Sequence, residues 1–315
     1  MTKPTYDVLC LGIMVADVVA RPVKGLPKKG TLETVERMEL HTGGCAVNTG
    51  ISLAKLGVRT GIIGKAGQDG FGDYIISVLQ RNGVDASGVV RDPVNNTSGT
   101  MVMVDQEGER TFIHYIGANG AIREEDVDFD LVRRTRILHV AGHNLMPGFD
   151  GEVCARVLQR ARAAGVTTSL DTAWDFSGRW LAVIEPCLHH VDIFVPSFEE
   201  AKEIAGREEP DDVAAFFLNY GIKTVALKMG SQGCYVKTRQ EAFALPIFPV
   251  QAVDATGAGD AFAGGFLAGI VMGWDLKETA RLGNAVGALC VTAMGATTGV
   301  RSLDETIAFM KQYEE

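Results

Sequence analysis

The sequence predicts one α/β domain: a mostly parallel β-sheet covered by helices on both faces, with a small second sheet beside it. Three observations carry this expectation. The run 6–14, rich in Val, Leu, Cys and Ile, shows little alternation, as a strand buried on both faces would. From residue 46 to residue 228, strand-like and helix-like segments take turns over short links. Two stretches, 31–40 and 100–116, instead alternate apolar with polar residues, the period of half-exposed strands.

In chain order, 6–14 is the first strand of the main sheet. Pro22, Gly25, Pro27 and Gly30 break up the next stretch, and 31–40 resumes as a half-exposed strand. A helix over 46–56 closes at Gly57 and one over 72–81 closes at Asn82-Gly83, because glycine tolerates the left-handed backbone of a helix end. Short strands at 60–63 and 89–90 accompany them. Residues 100–104 and 110–116 read as a hairpin around Asp105-Gln106-Glu107-Gly108. The half-exposed strands together make a small lid, drawn from about 17–42 and 97–117. Strand 137–140, helix 151–164 ended by Gly165, strand 167–171 and helix 180–188 come next. Strand 192–196, helices 198–205 and 211–220 and strand 224–228 complete the alternation. Residues 244–253 are extended, with Pro246 and Pro249, and helices over 261–272, 275–293 and 303–313 finish the chain. No repeat, low-complexity tract or linker divides it, so the domain runs over 1–315.

A chain of 315 residues that is 46% hydrophobic can bury a large core. Acidic residues outnumber basic ones 39 to 30 and no Lys/Arg run exceeds a pair, which argues against nucleic acid as a partner. The six cysteines are scattered, with no C-x-x-C pair and no Cys/His group at zinc spacing, and read as small buried apolar residues in a reducing compartment. The apolar stretch 8–20 is interrupted by Asp17 and preceded only by Lys3, unlike a signal peptide. No apolar run reaches the ~18 residues of a membrane helix. A cytoplasmic protein with no membrane partner is expected.

The chemistry concentrates in Asp254-Ala255-Thr256-Gly257-Ala258-Gly259-Asp260, at the junction between an extended segment and a helix. The first amides of a helix lack internal partners, and glycines let an anion approach them, so Gly257, Ala258 and Gly259 make a ready anion hole. Asp260 beside that hole suits a general base facing a phosphoryl donor. A tight turn with an acidic residue favoured by the helix dipole is the plainer alternative. A second glycine-first helix entry is His41-Thr42-Gly43-Gly44-Cys45-Ala46-Val47-Asn48. Asn48 offers a donor and an acceptor to hydroxyls, or bonds neighbouring backbone groups. Asp17 lies just past the first buried strand, at the sheet edge where open α/β folds bind ligands.

Gly43-Gly44-x-x-x-Asn48 and Asp254-x-Thr256-Gly257-Ala258-Gly259-Asp260, about 200 residues apart, resemble the two signature patterns of the ribokinase-like (PfkB) carbohydrate kinases, in an order and context covering essentially the whole chain. The resemblance implies a three-layer α/β/α sandwich with a β lid, and ATP-dependent transfer of the γ-phosphate to an alcohol. It makes Asp260 the base and the amides of Gly257, Ala258 and Gly259 the anion hole, with Asp17, Gly43, Gly44 and Asn48 on substrate hydroxyls. Glu200 is implied as an indirect Mg2+ residue, in a segment where Ser197 replaces the family's Asn. Lys228, Gly230 and Gly233 match the turn that touches the nucleotide, with Lys228 where many members have Thr. Asn284 and Gly295 lie where the family builds its adenine pocket, and Thr256 is taken with them on the cofactor side. Asp254 is a potassium candidate. Where some members carry a glutamate for the sugar, this chain has Ala141-Gly142-His143-Asn144, so His143 or Asn144 takes that place and ribose itself is in doubt. Arg110 is a candidate lid contact.

The reading requires positions 17, 48 and 260 to surround one pocket. The runner-up is a nucleoside kinase of the same family. A catalytically silent sugar- or nucleotide-binding protein on this fold is the alternative outside enzymes. The absence of G-x-x-x-x-G-K-[ST], of G-x-G-x-x-G after the first strand and of G-x-S-x-G disfavours P-loop hydrolases, dinucleotide dehydrogenases and esterases. The lids of this family often pair two chains, so a homodimer through the lid is a further expectation.

Overall fold

A computed structural model describes residues 5–313; Lys3, the lone charge ahead of the first apolar run, lies outside them. Thirteen strands and ten α-helices occur among the described residues. The first third contains β1 (Tyr6–Gly12), β2 (Val15–Arg21), β3 (Arg37–Gly43), α1 (Cys45–Lys55), β4 (Thr60–Gly67), α2 (Gly70–Arg81) and β5 (Asp85–Asp92). Then come β6 (Gly99–Val104), β7 (Arg110–Tyr115), α3 (Phe129–Val132), β8 (Thr135–His143), α4 (Glu152–Ala163), β9 (Thr167–Thr172) and α5 (Leu181–Leu188). The next elements are β10 (Ile193–Phe194), α6 (Phe198–Ala205), α7 (Pro210–Leu218), β11 (Thr224–Lys228), β12 (Cys234–Lys237) and β13 (Ala242–Leu245). The chain closes with α8 (Ala258–Met272), α9 (Leu276–Cys290) and α10 (Leu303–Lys311).

Nine strands form the main sheet in the order β13-β12-β11-β10-β9-β8-β1-β4-β5. Every pair from β11 to β5 is parallel, and only the β11–β12 and β12–β13 pairs at the edge are antiparallel. β1 shows why the sheet needs helices on both faces: Val8 and Cys10 enter one apolar cluster, Leu9 and Leu11 the other. The first cluster gathers side chains of α1, α2, α8, α9 and α10, the second those of α3 to α7. Phe194 and Phe217 meet edge to face at 4.7 Å in the second, each burial contributing about 1.5–3 kcal/mol. The layers are therefore α/β/α.

α8 is apolar all round because it is wedged between neighbours. Two glycines permit this: a Cβ on Gly264 would come within 2.8 Å of Ser52 Cβ in α1, and one on Gly265 within 2.9 Å of Leu282 O in α9.

The second sheet has the order β3-β2-β6-β7 and is built from the two stretches expected to make a lid. β2 pairs antiparallel with β3 and parallel with β6, and β6 makes a hairpin with β7. The half-exposed strand expected over 31–40 starts only at Arg37, because the Pro- and Gly-broken stretch before it leaves no paired ladder. Asp17 is not in a loop past the first strand but inside β2, opposite His41. The β12–β13 hairpin was not foreseen: its strands have four residues each and its turn, Thr238 to Glu241, has no Gly, Pro or Asn, being closed by Thr238 Oγ1 on the amides of Gln240 and Glu241. Among the described residues no helix is long and apolar enough to cross a membrane.

Candidate active site

α8 begins earlier than its apolar run suggests, with Gly257 as N-cap at φ 76° and no side chain capping the helix. A Cβ at that position would stand 2.4 Å from Ala296 O and would also strain the left-handed backbone, so only glycine fits. Gly257, Ala258, Gly259 and Asp260 line a cavity of about 590 Å³. Backbone donors at an uncapped helix start, facing a cavity, favour an anion.

Asp260 sits in the first turn of α8, and Asn48 Nδ2 of α1 donates to its Oδ2 at 2.8 Å. Burial pushes this carboxyl above the ordinary range, against the Asn48 hydrogen bond and the charge of Lys228. Lys228 ends β11 and reaches the same cavity; its Nζ lies 3.4 Å from where a Gly259 Cβ would be. Asp171, at the end of β9 and 1% exposed, holds that ammonium at 2.8 and 2.6 Å. Burial, with Glu200 and Asp260 nearby, pushes Asp171 up to about 7 despite Lys228, while its negative neighbours keep Lys228 protonated against burial. Glu200 on α6 faces the cavity and accepts from Thr172 Oγ1 at 2.8 Å. Ser197, in place of the family's Asn, is the N-cap of α6 and accepts from Glu200 N at 3.3 Å. Sequence reasoning missed Asp171 and Thr172; an acid closing the buried run 167–171 was the available signal.

Gly230 and Gly233 line the large cavity with Asn284, whose Nδ2 also holds Pro246 O at 3.0 Å. Two residues expected on the cofactor side do not: Thr256 and Gly295 line a smaller cavity of about 140 Å³ together with Asp17 and Arg110. The expectation of one pocket around positions 17, 48 and 260 is thereby corrected. Asn48 and Asp260 are in contact, but Asp17 faces the neighbouring cavity, with the turn 255–257 contributing to both walls. The two remain linked through the α1 entry. A Cβ on Gly43 would stand 2.1 Å from Asp17 Oδ2, and Gly44, at φ 90°, is the N-cap of α1.

Arg110 opens β7 and reaches across to the glycine loop, donating to Asp254 Oδ1 at 2.5 Å and to Thr256 Oγ1. Asp254 also accepts from Thr256 N at 2.8 Å and Gly295 N at 2.9 Å. Both carboxylate oxygens of Asp254, the residue expected on the potassium side, are thus engaged, Oδ1 by Arg110 and Thr256 N and Oδ2 by Gly295 N. His143 is not a sugar ligand. It is fully buried, with Nδ1 on Asn144 Oδ1 at 2.8 Å and Nε2 facing Gly151 N and Cys187. Asn144 lines a third cavity, apart from Asp17 and Asp260. β8 runs on to His143 rather than stopping at 140, opposite Thr172 of β9, but the imidazole is turned to Gly151 and Cys187 rather than to either cavity.

An uncapped helix start, a raised carboxyl beside it and a lysine at its mouth define a phosphate-handling site on a doubly covered parallel sheet. The chain belongs to the pfkB family of carbohydrate kinases, whose family profile matches residues 5–303. An uncharacterized sugar kinase of Archaeoglobus fulgidus is 33% identical over 256 residues, 81% of this chain and 100% of the relative. Among solved structures, the Arabidopsis thaliana ribokinase complexed with ribose and ATP superposes at a TM-score of 0.86, with 26% identity over 98% of this chain and 99% of that one. A candidate ribokinase II of Escherichia coli in complex with ATP and Mg2+ gives 0.84, with 27% identity over 98% and 100%.

Proposed function

We propose that the protein transfers the γ-phosphate of ATP to a hydroxyl of a single-ring sugar or sugar derivative, with Asp260 taking the hydroxyl proton. The observation that carries this is the Asp260 carboxylate, made more basic by burial, next to the bare first turn of α8 and to Lys228. Phosphoryl transfer needs positioning and charge neutralisation more than covalent chemistry. The amides of Gly257, Ala258 and Gly259 receive the charge that develops on the transferred group, and Lys228, oriented by Asp171, adds a cation. ATP lies in the large cavity along Gly230, Gly233 and Asn284. Hard carboxylate oxygens suit Mg2+, and Glu200 is the cavity-facing carboxylate placed to hold it, through water, where it offsets phosphate charge.

The sugar occupies the smaller cavity, with Asp17 and the Gly43–Gly44 backbone as hydroxyl partners. Its volume of about 140 Å³ offers room for one ring rather than for the two ring systems of a nucleoside. That favours a sugar over a nucleoside. The small sheet acts as a lid, which Arg110 holds against Asp254 and Thr256 of the glycine loop while the two cavities join around the reacting hydroxyl. The outer lid residues Met101, Ile113 and Tyr115 are half exposed, which supports pairing with a second copy. Six free thiols fit a reducing compartment, the cytoplasm.

Asp260→Asn is expected to lower turnover roughly 100- to 10,000-fold while ATP affinity stays similar. The check is a coupled kinase assay over a panel of sugars and nucleosides, with nucleotide binding measured separately. Near-normal turnover in the variant removes Asp260 as the base. Binding without turnover by the wild type across the panel favours a silent binding protein.

A further inference from the structure

Away from the cavities assigned to sugar and ATP, four side chains able to ligate a metal converge behind the wall of a third. His143 ends β8, Asp150 lies in the loop after it, Cys154 is in the first turn of α4 and Cys187 is near the end of α5. His143, Cys154 and Cys187 are fully buried, and their ligating atoms all lie within 4.8 Å of one another. His143 Nε2 stands 3.6 Å from Cys187 Sγ and 3.8 Å from Asp150 Oδ1. The Asp150 side chain is 7% exposed, and Oδ1 has no hydrogen-bond partner. A buried carboxylate oxygen left without a donor is costly, and with only the His143 ring at 3.8 Å to offset its charge the site favours a bound cation.

The imidazole is set up to ligate. Asn144 Nδ2 donates to Ala173 O at 3.1 Å, which turns Asn144 Oδ1 toward His143 Nδ1 at 2.8 Å. Nδ1 therefore carries a proton, and Nε2 points into the cluster, facing the Gly151 amide at 3.3 Å, Cys187 Sγ at 3.6 Å and Asp150 Oδ1 at 3.8 Å. This is the outer hydrogen bond that metal-bound histidines make. Asn144 makes it from a left-handed backbone at φ 86°, a conformation that side chains rarely adopt.

We propose that His143, Cys154 and Cys187 form a binding site for a divalent cation of the zinc class, with Asp150, next to His143, moving in as the fourth ligand. With bonds of about 2.0–2.1 Å to nitrogen and oxygen and about 2.3 Å to sulfur, a tetrahedron has edges of about 3.3–3.8 Å. The 3.6 Å between His143 Nε2 and Cys187 Sγ matches a nitrogen–sulfur edge, while Asp150 Oδ1, 3.8 Å from Nε2, has to move inward to reach a nitrogen–oxygen edge of about 3.3 Å. Binding expels the two thiol protons to solvent as the metal–sulfur bonds form. A disulfide between Cys154 and Cys187 accounts for two of the four groups and leaves Asp150 unsatisfied. The approach is the third cavity, about 400 Å³, which Asn144, Asp150 and Gly151 line together with Glu152, Asp175 and Arg179. The ion fastens the loop after β8 to α4 and α5, a closed, fold-stabilising arrangement.

The test is titration of the reduced, chelator-stripped full-length protein with Co2+, followed by displacement with Zn2+. Expected are a thiolate-to-cobalt charge-transfer band with tetrahedral ligand-field bands, saturating at one ion per chain, and a higher melting temperature with Zn2+. Cys154→Ser and Cys187→Ser lose the charge-transfer intensity, while Cys10→Ala keeps it. Asn144→Gly, which tolerates the backbone and removes the outer hydrogen bond, weakens Co2+ binding about 10- to 100-fold. A wild-type protein with no thiolate band after reduction overturns the proposal, whether or not the variants fold. So does a band that survives both serine substitutions.

Discussion

Asp260 must be ionised to accept a proton, and its carboxyl lies above the ordinary range because burial strips it of water. The protonated, inactive form therefore persists to higher pH than for an exposed aspartate, and kcat/KM should fall on acidification earlier than usual. The Asn48 hydrogen bond opposes that rise. Asn48→Ala is accordingly expected to move the acid limb of the kcat/KM profile further up. A limb that stays put or moves down would separate Asn48 from the base. Other single residues are less legible from their local sequence. His143 reads in the sequence as a residue at the ligand edge, yet its ring is turned inward onto Gly151 and Cys187. Asp171 was only faintly legible, as an acid closing a buried run, because its role depends on Lys228, 57 positions on, folding against it.

At the scale of elements, α8 concentrates the chemistry because its glycines serve two purposes. Gly264 and Gly265 let α1 and α9 press against it, while Gly257 and Gly259 leave its first turn bare. A Cβ on Gly259 would make only ordinary contact with Lys228 Nζ at 3.4 Å. Alanine also favours a helix over glycine by about 1 kcal/mol. Gly259→Ala should therefore keep or raise the melting temperature while kinase activity falls, since the new methyl fills the approach to the amides. Unchanged activity would place the anion elsewhere. Helix and strand periodicity made most elements legible, with α6 and β11 matching residue for residue. The β12–β13 hairpin was not, for its turn is held by one threonine hydroxyl rather than by glycine or proline.

Across the whole molecule, the small sheet is fastened to the glycine loop by one guanidinium, Arg110 to Asp254 and Thr256. This contact joins positions 144 and 146 residues apart in the chain. A charge-assisted pair of this kind is worth about 1.5–3 kcal/mol, so Arg110→Ala is expected to raise the sugar KM roughly 10- to 100-fold. A loosened lid also admits water, and ATP hydrolysis relative to sugar phosphorylation should increase in the same variant. Steady-state kinetics with parallel assays of ADP and sugar phosphate read both effects. An unchanged KM and coupling ratio would leave Arg110 a surface charge.

The sequence alone determined the class of fold, the order of most elements, the family and the placing of Asp260 at the mouth of a helix. Each of these is written in short-range patterns: periodicity, caps and glycine spacing act over a few residues. The tertiary structure alone decided which cavity each side chain faces, that Arg110 meets Asp254, and that His143, Cys154 and Cys187 converge. Those are contacts between side chains far apart in the chain, set by how the sheet twists and its helices pack, and no local spacing encodes them.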